Sequence, residues 1–345
     1  MTTQFNRKLV DGNPKWGSFW EGLEDVSIEI SSDEVLSKQP VISVWMITFN
    51  QQDLIEEAID SVLFQEFTQP IELVIGDDCS TDGTLEILLD YQEKYPENIR
   101  VLKALTNLGQ RFGKKYQPNV VRTLAACRAP LIALLEGDDK WITESKLEDQ
   151  YDLLKDCVEL SGCYCECLDL DMASGRQVNH VASRPKTVDL RYLMQNGWFI
   201  RTPSLMFRTQ MLKPLPYWYL DIYSTDYMLQ YSLLRNGDFV KLPKVQAAYR
   251  IHEGGVSNAD TTLQIQRWRE KIALLERLNS ENNGIYSNEV KTRCKQLRAK
   301  ILVSNRKEVG ILGTLKELCR SYNSDLVVIV IASLLKKLRS SLRAS

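Results

Sequence analysis

The apolar run 131–135 ends in a group of acids, and this arrangement limits the possible folds more than any other feature of the sequence. An uncharged apolar run of this length is typical of a strand covered on both faces. Glu136, Asp138 and Asp139 follow at once, separated by Gly137. Carboxylates this close repel one another unless a cation lies between them, and Mg²⁺ or Mn²⁺ prefers such oxygen ligands. The open alternative is a solvated acidic turn in which Asp138 or Asp139 caps the helix that follows.

Strands and helices alternate in the region before this run. Strands are predicted at 41–47, 71–75 and 99–102, and amphipathic or polar helical segments lie between them. Such alternation is typical of the α/β class, with a mostly parallel, doubly wound sheet. Sheets of this kind bind ligands beyond the carboxyl ends of their strands. We therefore expect the turns 48–53 and 76–84 to meet the acids after residue 135.

Glycine-rich phosphate-binding loops are absent from the sequence. No G-x-G-x-x-G follows the first strand and no G-x-x-x-x-G-K-[ST] occurs, which excludes a dinucleotide fingerprint and a Walker P-loop. The turns carry acids instead. This pattern suits a nucleotide held through its base and ribose hydroxyls, with the diphosphate held through a metal.

Length and charge indicate one main domain with appendages. A chain of 345 residues with 44% apolar composition can bury a large core. We expect an N-terminal extension at 1–38, the main domain at 39–260 and a basic helical region at 261–345. The last region holds 17 Lys and Arg against 7 Asp and Glu, so it can meet an anionic membrane or an acidic partner, or form a solvated helical face. The acidic remainder argues against nucleic acid as a partner.

The 8 cysteines lack the paired spacing of a disulfide framework, which favours reduced thiols in a cytosolic protein. Cys163, Cys165 and Cys167 alternate, so a strand would place all of them on one face. A zinc site is disfavoured, because the C-x-x-C turn is missing and His180 is the only histidine nearby. The polar N-terminus predicts no signal peptide.

Several short motifs occur along the main domain: ITFN (47–50), LVIGDDCSTDGT (73–84), NLG (107–109), LEGDDKW (135–141), STDY (224–227) and YRIHEGGVS (249–257). Together these motifs resemble the GT-A glycosyltransferases of family 2, which transfer a sugar from a nucleotide-sugar with inversion at the anomeric carbon. The resemblance covers roughly residues 39 to 260 and implies the GT-A fold, a Rossmann-like α/β architecture.

On the donor side, the resemblance implies roles for individual residues. Asp78 would accept a hydrogen bond from the base, which we expect to be uracil. Asp138 would lie near the ribose or the sugar, and Asp139 would bind the divalent metal, Mn²⁺ or Mg²⁺, on the diphosphate. Glu136 stands where a stricter D-x-D spacing has its first acid. The other candidates are Thr48 and Asn50 at the edge of the nucleotide pocket, and Arg111 at the base or phosphates, with a surface arginine as the open alternative.

Inversion requires a base for the proton of the attacking hydroxyl, and the resemblance assigns this role to Asp226. Its alternative role is to cap the helix that begins there; one residue can do both. His252 would contact phosphate or metal, although a lone histidine is more often structural. Trp198 and Ser204 would lie on the acceptor side, where an aromatic ring can stack on a sugar.

The expected function is glycosyl transfer to a glycan or lipid-linked acceptor in surface polysaccharide biosynthesis. The apolar segment 326–335 is shorter than the ~20 residues that span a bilayer, but beside basic residues it can lie in an anionic membrane interface or pack on protein. We expect a cytoplasmic protein, with peripheral attachment at the inner face of the plasma membrane as one option. The alternatives are a catalytically silent nucleotide- or glycan-binding domain, and a sugar-nucleotide nucleotidyltransferase, which would carry a Gly- and Arg-rich loop after the first strand.

Overall fold

The structure is a computed structural model that describes residues 3–179, 183–255 and 261–320, with side chains described up to residue 304 apart from Thr261. Contacts divide the chain into two compact units. The first unit is Met1–Leu190 with Trp198–Gly255, and the second is Arg191–Gly197 with Val256–Ser345.

The regular elements alternate along the first unit much as the sequence predicts. The strands are β1 (Ser27–Ile30), β2 (Ile42–Thr48), β3 (Ile71–Asp77), β4 (Ile99–Ala104), β5 (Leu131–Leu134), β6 (Lys140–Trp141), β7 (Gly162–Asp171), β8 (Gln177–Asn179), β9 (Thr187–Val188), β10 (Leu205–Arg208) and β11 (Phe239–Ile251). The helices are α1 (Lys15–Glu24), α2 (Asp33–Ser37), α3 (Ile55–Leu63), α4 (Thr84–Lys94), α5 (Leu108–Phe112), α6 (Gln117–Ala126), α7 (Lys146–Asp156), α8 (Leu190–Asn196), α9 (Thr225–Leu234), α10 (Thr261–Glu281) and α11 (Ser287–Arg320). Single 3₁₀ turns lie at Arg7–Leu9, Thr202–Ser204, Thr209–Met211 and Tyr217–Asp221.

The strands form one mixed sheet in the order β1-β4-β3-β2-β5-β10-β7-β11-β6, with β8 on β7 and β9 on β11. The pairs β2–β3, β3–β4, β2–β5 and β7–β11 are parallel. Strand β10 runs antiparallel to β5 and β7, and joins the two parallel parts. The predicted α/β class with a mostly parallel GT-A sheet is confirmed.

Helices cover the sheet closely because small residues lie under them. Ile55, Ile59 and Val62 on α3 are fully buried in the apolar core. On β3, a Cβ on Gly76 would lie 2.0 Å from the Thr123 hydroxyl of α6, so only glycine fits. Asn119 of α6 donates to the Gly76 carbonyl at 2.8 Å, which fixes the helix over the strand.

Residues 1–38 contain regular structure that the sequence pattern did not indicate. Helix α1 buries Trp16, Phe19, Trp20 and Leu23, and β1 adds an antiparallel edge strand to β4. Both elements are too short for a periodicity to be seen in isolation. Their apolar side chains are placed by contacts with the main domain.

Cys163, Cys165 and Cys167 are buried on β7, as the alternation predicts. The described cysteines are free thiols. Burial raises the pKa of the Cys165 thiol to about 11, so the protonated form is favoured. Lys146 lies buried beside them, and burial lowers its pKa to about 8. His180 lies outside the described residues.

The second unit contains the hairpin of α10 and α11, whose turn places Asn283 and Gly284 at positive φ. Leu275, Leu278 and Leu297 are among its buried side chains. No helix in the described part of the chain has both the length and the apolar character needed to cross a bilayer. The segment 326–335 lies outside the described residues.

Candidate active site

Three neighbouring parallel strands bring the predicted site residues to one edge of the sheet. In the order β3-β2-β5, β2 ends at Thr48, β3 at Asp77 and β5 at Leu134. The turns that follow therefore lie side by side. The amide of Asp78 donates to the Thr48 carbonyl at 3.1 Å, and the amide of Gly137 donates to the Ile47 carbonyl at 3.0 Å.

The acidic turn after β5 gathers three carboxylates. Glu136, Asp138 and Asp139 each offer one oxygen, and these oxygens lie within 4.8 Å of one another. A hydrogen bond from the Asp139 amide to the Glu136 carbonyl, 3.0 Å long, closes the turn. Gly137 is required inside it, since a Cβ there would lie 2.5 Å from Oε1 of Gln51. Among the described residues, this is the one group of three acidic, cysteine or histidine side chains that could hold a metal ion.

Asp139 has the features of a metal ligand. Its side chain is fully buried, and its Oδ1 accepts a hydrogen bond from the Arg250 amide at 2.8 Å. Its Oδ2 has no hydrogen-bond partner in the described part of the chain. Burial, together with the charges of Asp138 and Glu136, raises the pKa of Asp139 well above its ordinary value. A buried carboxylate oxygen left without a partner is costly, and a divalent cation among these acids would satisfy it.

Glu136 reaches the same site. It is partly buried and shares a hydrogen bond with Thr202. Burial, and then the charges of Asp138 and Asp226, raise its pKa to about 8. The carboxyl group therefore lies between the acidic turn and the segment that carries Asp226.

His252 also lies at the acidic turn. Its Nε2 is 3.2 Å from Oδ2 of Asp138, and both side chains are partly exposed. The histidine follows directly after β11, and Glu253, Gly254 and Gly255 come next. A ligand at the acidic turn would thus be within reach of the imidazole.

Arg250 is a site residue that the sequence reasoning did not single out. It is buried on β11, and its guanidinium donates to the carbonyls of Asp138 and Asp139. It also donates to Glu57 at 3.2 Å and to the Leu54 carbonyl at 2.9 Å. Burial lowers its pKa. Its place two positions before His252, at the end of β11, was the available signal.

In the turn after β3, Asp78 is buried and holds the next loop. Its Oδ1 accepts from the Leu108 amide at 2.7 Å, and its Oδ2 accepts from the Asn107 side chain at 3.2 Å. Burial raises the pKa of Asp78 to about 6. The buried Arg122 supports the same turn, donating to the carbonyl of Asp77 at 2.9 Å.

Thr48 and Asn50 shape the turn after β2. The Thr48 hydroxyl donates to Gln51 at 2.7 Å. Asn50 lies at φ 53°, and its side-chain oxygen accepts from the Thr81 amide at 2.8 Å, which ties this turn to the turn after β3. Between them, the Phe49 ring is 45% exposed. An exposed aromatic ring at this edge is a second feature that the sequence reasoning missed.

Arg111 is exposed on the short helix α5. Asn107 caps this helix by accepting from the Gln110 amide at 2.9 Å. Because Asp78 binds the Asn107 side chain and the Leu108 amide, the loop that carries Arg111 starts beside the turn after β3. Within the described part of the chain, Arg111 forms no hydrogen bond or ion pair with Glu136, Asp138 or Asp139.

Asp226 lies in the first turn of α9, and its Oδ1 accepts from the Tyr227 amide at 2.8 Å. This bond comes from the amide of the next residue, and Ser224 holds the N-cap position, so the capping role of Asp226 stays a prediction. Its charge, after burial and Asp138, contributes to the raised pKa of Glu136, so Asp226 lies near that carboxyl group. Ser224, the N-cap residue, makes no side-chain capping bond.

The two acceptor-side candidates differ in exposure. Ser204 is fully buried, and its hydroxyl donates to the Arg201 carbonyl at 2.7 Å. Trp198 is partly exposed, and Arg201 lies between its ring (4.4 Å) and that of Tyr249 (4.5 Å). An ion pair with Asp169 holds the Arg201 guanidinium there. Trp198 can face a ligand, whereas Ser204 can act only through its neighbours.

Comparison with known proteins agrees with this geometry. Residues 43–213, which include the turns after β2, β3 and β5, match the family model described as glycosyl transferase family 2. The chain belongs to this family. The matched residues of the family 2 domain end before Asp226 and His252, and begin after α1 and β1.

Relatives with similar sequences include an uncharacterized protein of Mycobacterium tuberculosis, 29% identical over 233 residues. That match covers 67% of this chain and 64% of the relative, so it spans slightly less than two thirds of the relative's length. A protein of Bacillus subtilis named as a teichuronic acid biosynthesis glycosyltransferase is 36% identical over 116 residues, covering 34% of this chain and 42% of the relative.

Among solved structures, S. aureus TarS (residues 1–349) in complex with UDP-GlcNAc resembles this family 2 member with a TM-score of 0.50. The identity is 21%, over 77% of this chain and 72% of TarS. At this identity the likeness shows the shared GT-A fold.

Proposed function

We propose that this chain is an inverting glycosyltransferase that moves a sugar from a nucleotide-sugar, with UDP as the expected nucleotide, to a hydroxyl of a glycan or lipid-linked acceptor. The observation that carries the proposal is the acidic turn, in which buried Asp139 keeps an unpartnered oxygen beside Asp138 and Glu136. The charge of Asp226, which comes from a different part of the chain, acts on Glu136 of the same turn. A metal-bound diphosphate and a base are the two requirements of this reaction.

Asp139 would hold Mn²⁺ or Mg²⁺, with Asp138 and His252 beside it. The described donor set, carboxylate oxygens and one imidazole, suits either ion. When bound, the ion neutralises negative charge that grows on the departing diphosphate. Arg250 stabilises the turn. Its guanidinium donates to the carbonyls of Asp138 and Asp139, and its amide donates to the Asp139 carboxylate.

Asp226 would take the proton of the attacking hydroxyl. Its place in the first turn of α9 favours the ionised carboxylate, since the amino end of a helix carries partial positive charge. Its Oδ1 is already oriented by the Tyr227 amide. A base held in this way needs no reorganisation when the acceptor arrives, and general bases typically contribute factors of roughly 10² to 10⁴ to rate.

Donor binding would use the turns after β2 and β3. We assign Asp78 to the base, Thr48 and Asn50 to the edge of the pocket, and Arg111 to the base or phosphates. Phe49 adds an exposed ring on which a base can stack. The complex of TarS with UDP-GlcNAc supports a UDP-sugar.

The acceptor would lie near Trp198, with Ser204 supporting the segment beneath it. An amphipathic ring such as indole can cover the apolar face of a sugar. The relative named for teichuronic acid biosynthesis supports a role in surface polysaccharide biosynthesis. A role in surface polysaccharide biosynthesis would place the protein in the cytoplasm, with the basic region 261–345 at the inner face of the plasma membrane.

A nucleotide-sugar panel with Mn²⁺ or Mg²⁺ tests the proposal. The readouts are binding of the donor and release of its nucleoside diphosphate, for wild type, Asp139→Ala and Asp226→Asn. We expect turnover of one donor that needs the metal. Asp139→Ala should abolish it by weakening metal binding, whereas Asp226→Asn should bind the donor normally and turn over about 10³-fold more slowly.

Asp90→Asn is the matched control, because Asp90 is an exposed acid on α4. Its turnover should equal that of wild type. A wild-type protein that binds no donor with either metal would refute the nucleotide-sugar assignment. Full activity of Asp226→Asn would refute the assigned base alone.

A further inference from the structure

The N-terminal segment Phe5–Ile30 (residues 5–30) contains a buried aromatic cluster outside the residues that match the family model. Trp16, Phe19 and Trp20 on α1 are 2 to 3% exposed, and Phe5 stacks on Trp20 with ring centroids 5.5 Å apart. The contacts of this aromatic cluster lead to the two segments that carry Arg111 and Asp226.

The first contact is with the loop on the nucleotide side. The ring of Phe19 packs against Phe112, with centroids 4.9 Å apart. Gly22, one turn further along α1, leaves room for the same ring, since a Cβ there would lie 3.2 Å from Phe112 Cε1. Phe112 is the last residue of α5 and directly follows Arg111. The position of α5 is thus set from one end by Asp78 and from the other by α1.

The second contact is with the segment that leads to Asp226. The ring of Trp16 packs edge-on against Tyr217 at 5.1 Å. Two backbone hydrogen bonds also join the N-terminal segment to Leu215. The Asp11 amide donates to the Leu215 carbonyl at 2.9 Å, and the Leu215 amide donates to the Leu9 carbonyl at 2.7 Å. Tyr217 begins the 3₁₀ turn that ends at Asp221, shortly before Asp226.

These two segments are also bonded directly to each other. Lys114 forms an ion pair with Asp221. Tyr116 donates its phenol hydrogen to the Tyr223 carbonyl, and the Gln117 side chain donates to the Ile222 carbonyl at 2.7 Å. The N-terminal segment therefore packs against two segments that are bonded to each other. One of them carries Arg111, and the other leads to Asp226.

We propose that the N-terminal segment is a positioning element of the active site, in which Phe19 sets the place of the nucleotide-side loop and Trp16 sets the place of Asp226. This inference rests on the proposed function, because it assigns the two contacts to donor binding and to proton transfer. It makes Trp16 and Phe19 part of the catalytic unit, although their ring contacts are with Tyr217 and Phe112 and not with the acidic turn. Phe19 and Trp16 are positioning residues, which act through Phe112 and Tyr217.

The test separates binding from turnover in Phe19→Leu and Trp16→Leu of the full chain. Leucine keeps much of the buried apolar volume, so folding should be retained. Phe19→Leu should raise the Kd of the nucleoside diphosphate of the identified donor about fivefold or more. Trp16→Leu should lower kcat about tenfold at unchanged donor KM, since small displacements of a catalytic group are costly. Hydrogen exchange at residues 107–117 should speed up in Phe19→Leu, whatever the donor.

Phe5→Leu is the matched control, because Phe5 belongs to the same cluster but stacks on Trp20. If Phe19→Leu does not fold, Phe112→Leu removes the same contact from the other side. One result would overturn the inference and leave the proposed function intact: Phe19→Leu and Trp16→Leu lose thermal stability as Phe5→Leu does, but keep the wild-type Kd, kcat and exchange rates. A wild type without donor binding would overturn both.

Discussion

Asp78 and Asp139 follow β3 and β5, the two strands that flank β2, and both are buried, yet their surroundings give them different tasks. Both oxygens of Asp78 accept hydrogen bonds from the 107–108 turn. Asp139 accepts one bond from the Arg250 amide and leaves Oδ2 without a partner in the described structure. The first carboxyl group holds a loop, and the second is available to a cation. This difference depends on the tertiary contacts of each residue and not on residue type.

Asp78 makes stability depend on pH. Its folded pKa of about 6 exceeds the ordinary value of 3.8, with burial as the main cause, so the folded protein holds this proton more tightly than the unfolded chain. The stabilisation that protonated Asp78 allows is full below pH 3.8 and is lost as the pH rises through 6. Asp78→Asn keeps an oxygen for the Leu108 amide and carries no charge.

The free energy of unfolding of wild type should therefore fall relative to Asp78→Asn as the pH rises from 4 to 7, by roughly 3 kcal/mol in total. Denaturant titrations of both proteins without metal, at several pH values, measure this difference. Parallel pH profiles for the two proteins would show that Asp78 ionises in the folded state as it does in the unfolded chain.

Much of the site could be predicted because strand ends in a parallel sheet meet at one edge. Glu136, Asp138 and Asp139 are adjacent in sequence, and His252 stands in a recognisable stretch. Arg250 was missed because its contacts with the acidic turn join distant parts of the chain, which local periodicity does not encode. The same limit applies to Ser204, whose buried hydroxyl bonds its own 3₁₀ turn.

At the scale of elements, the edge strand β1 is held to the sheet by buried charge. Arg100 on β4 donates to Glu29 of β1 at 2.7 Å and to Glu72 of β3 at 2.9 Å. Arg128 also donates to Glu72 at 2.8 Å. Burial acts to raise the pKa of Glu29, but Arg100 outweighs it and the net pKa is lowered. Specific ion pairing thus fixes an element whose sequence carries a weak strand signal.

Glu72→Gln should destabilise the fold strongly, because it leaves the buried Arg100 and the adjacent Arg128 with less compensating charge. Breaking one partner of a buried pair costs about 3 to 5 kcal/mol. Glu97→Gln is the control, since the Lys38–Glu97 pair is largely exposed and should contribute at most about 1 kcal/mol. Equal midpoints of urea unfolding for the two variants would contradict a structural role for the Arg100 network.

At the scale of the whole molecule, charge is divided unevenly along the chain. The basic residues of 261–345 outnumber the acidic ones 17 to 7, and Lys291 and Lys300 on α11 are exposed. Clustered lysines near an anionic bilayer contribute about 1 kcal/mol each to binding. A basic region of this kind suits attachment to a membrane surface on which a lipid-linked acceptor is presented.

Wild type should bind vesicles that contain phosphatidylserine, and binding should weaken with added salt. Replacing Lys291, Lys295 and Lys300 with glutamate should weaken binding at least about tenfold, as measured by vesicle sedimentation. The control replaces Lys8, Lys94 and Lys213, which are exposed in the first unit. Equal losses in both triple variants would contradict a role for α11, and binding to neutral vesicles would contradict an electrostatic one.

The bond between Asp139 and the Arg250 amide joins residues 111 positions apart, and this has a consequence during protein synthesis. A ribosome adds about 5 to 20 residues per second, so the acidic turn waits roughly 5 to 20 s before Arg250 is made. Until then the nascent chain holds a set of acids without the partner that shapes them. Under the proposed function, a growing chain would therefore lack a complete donor site until nearly the whole first unit has been translated.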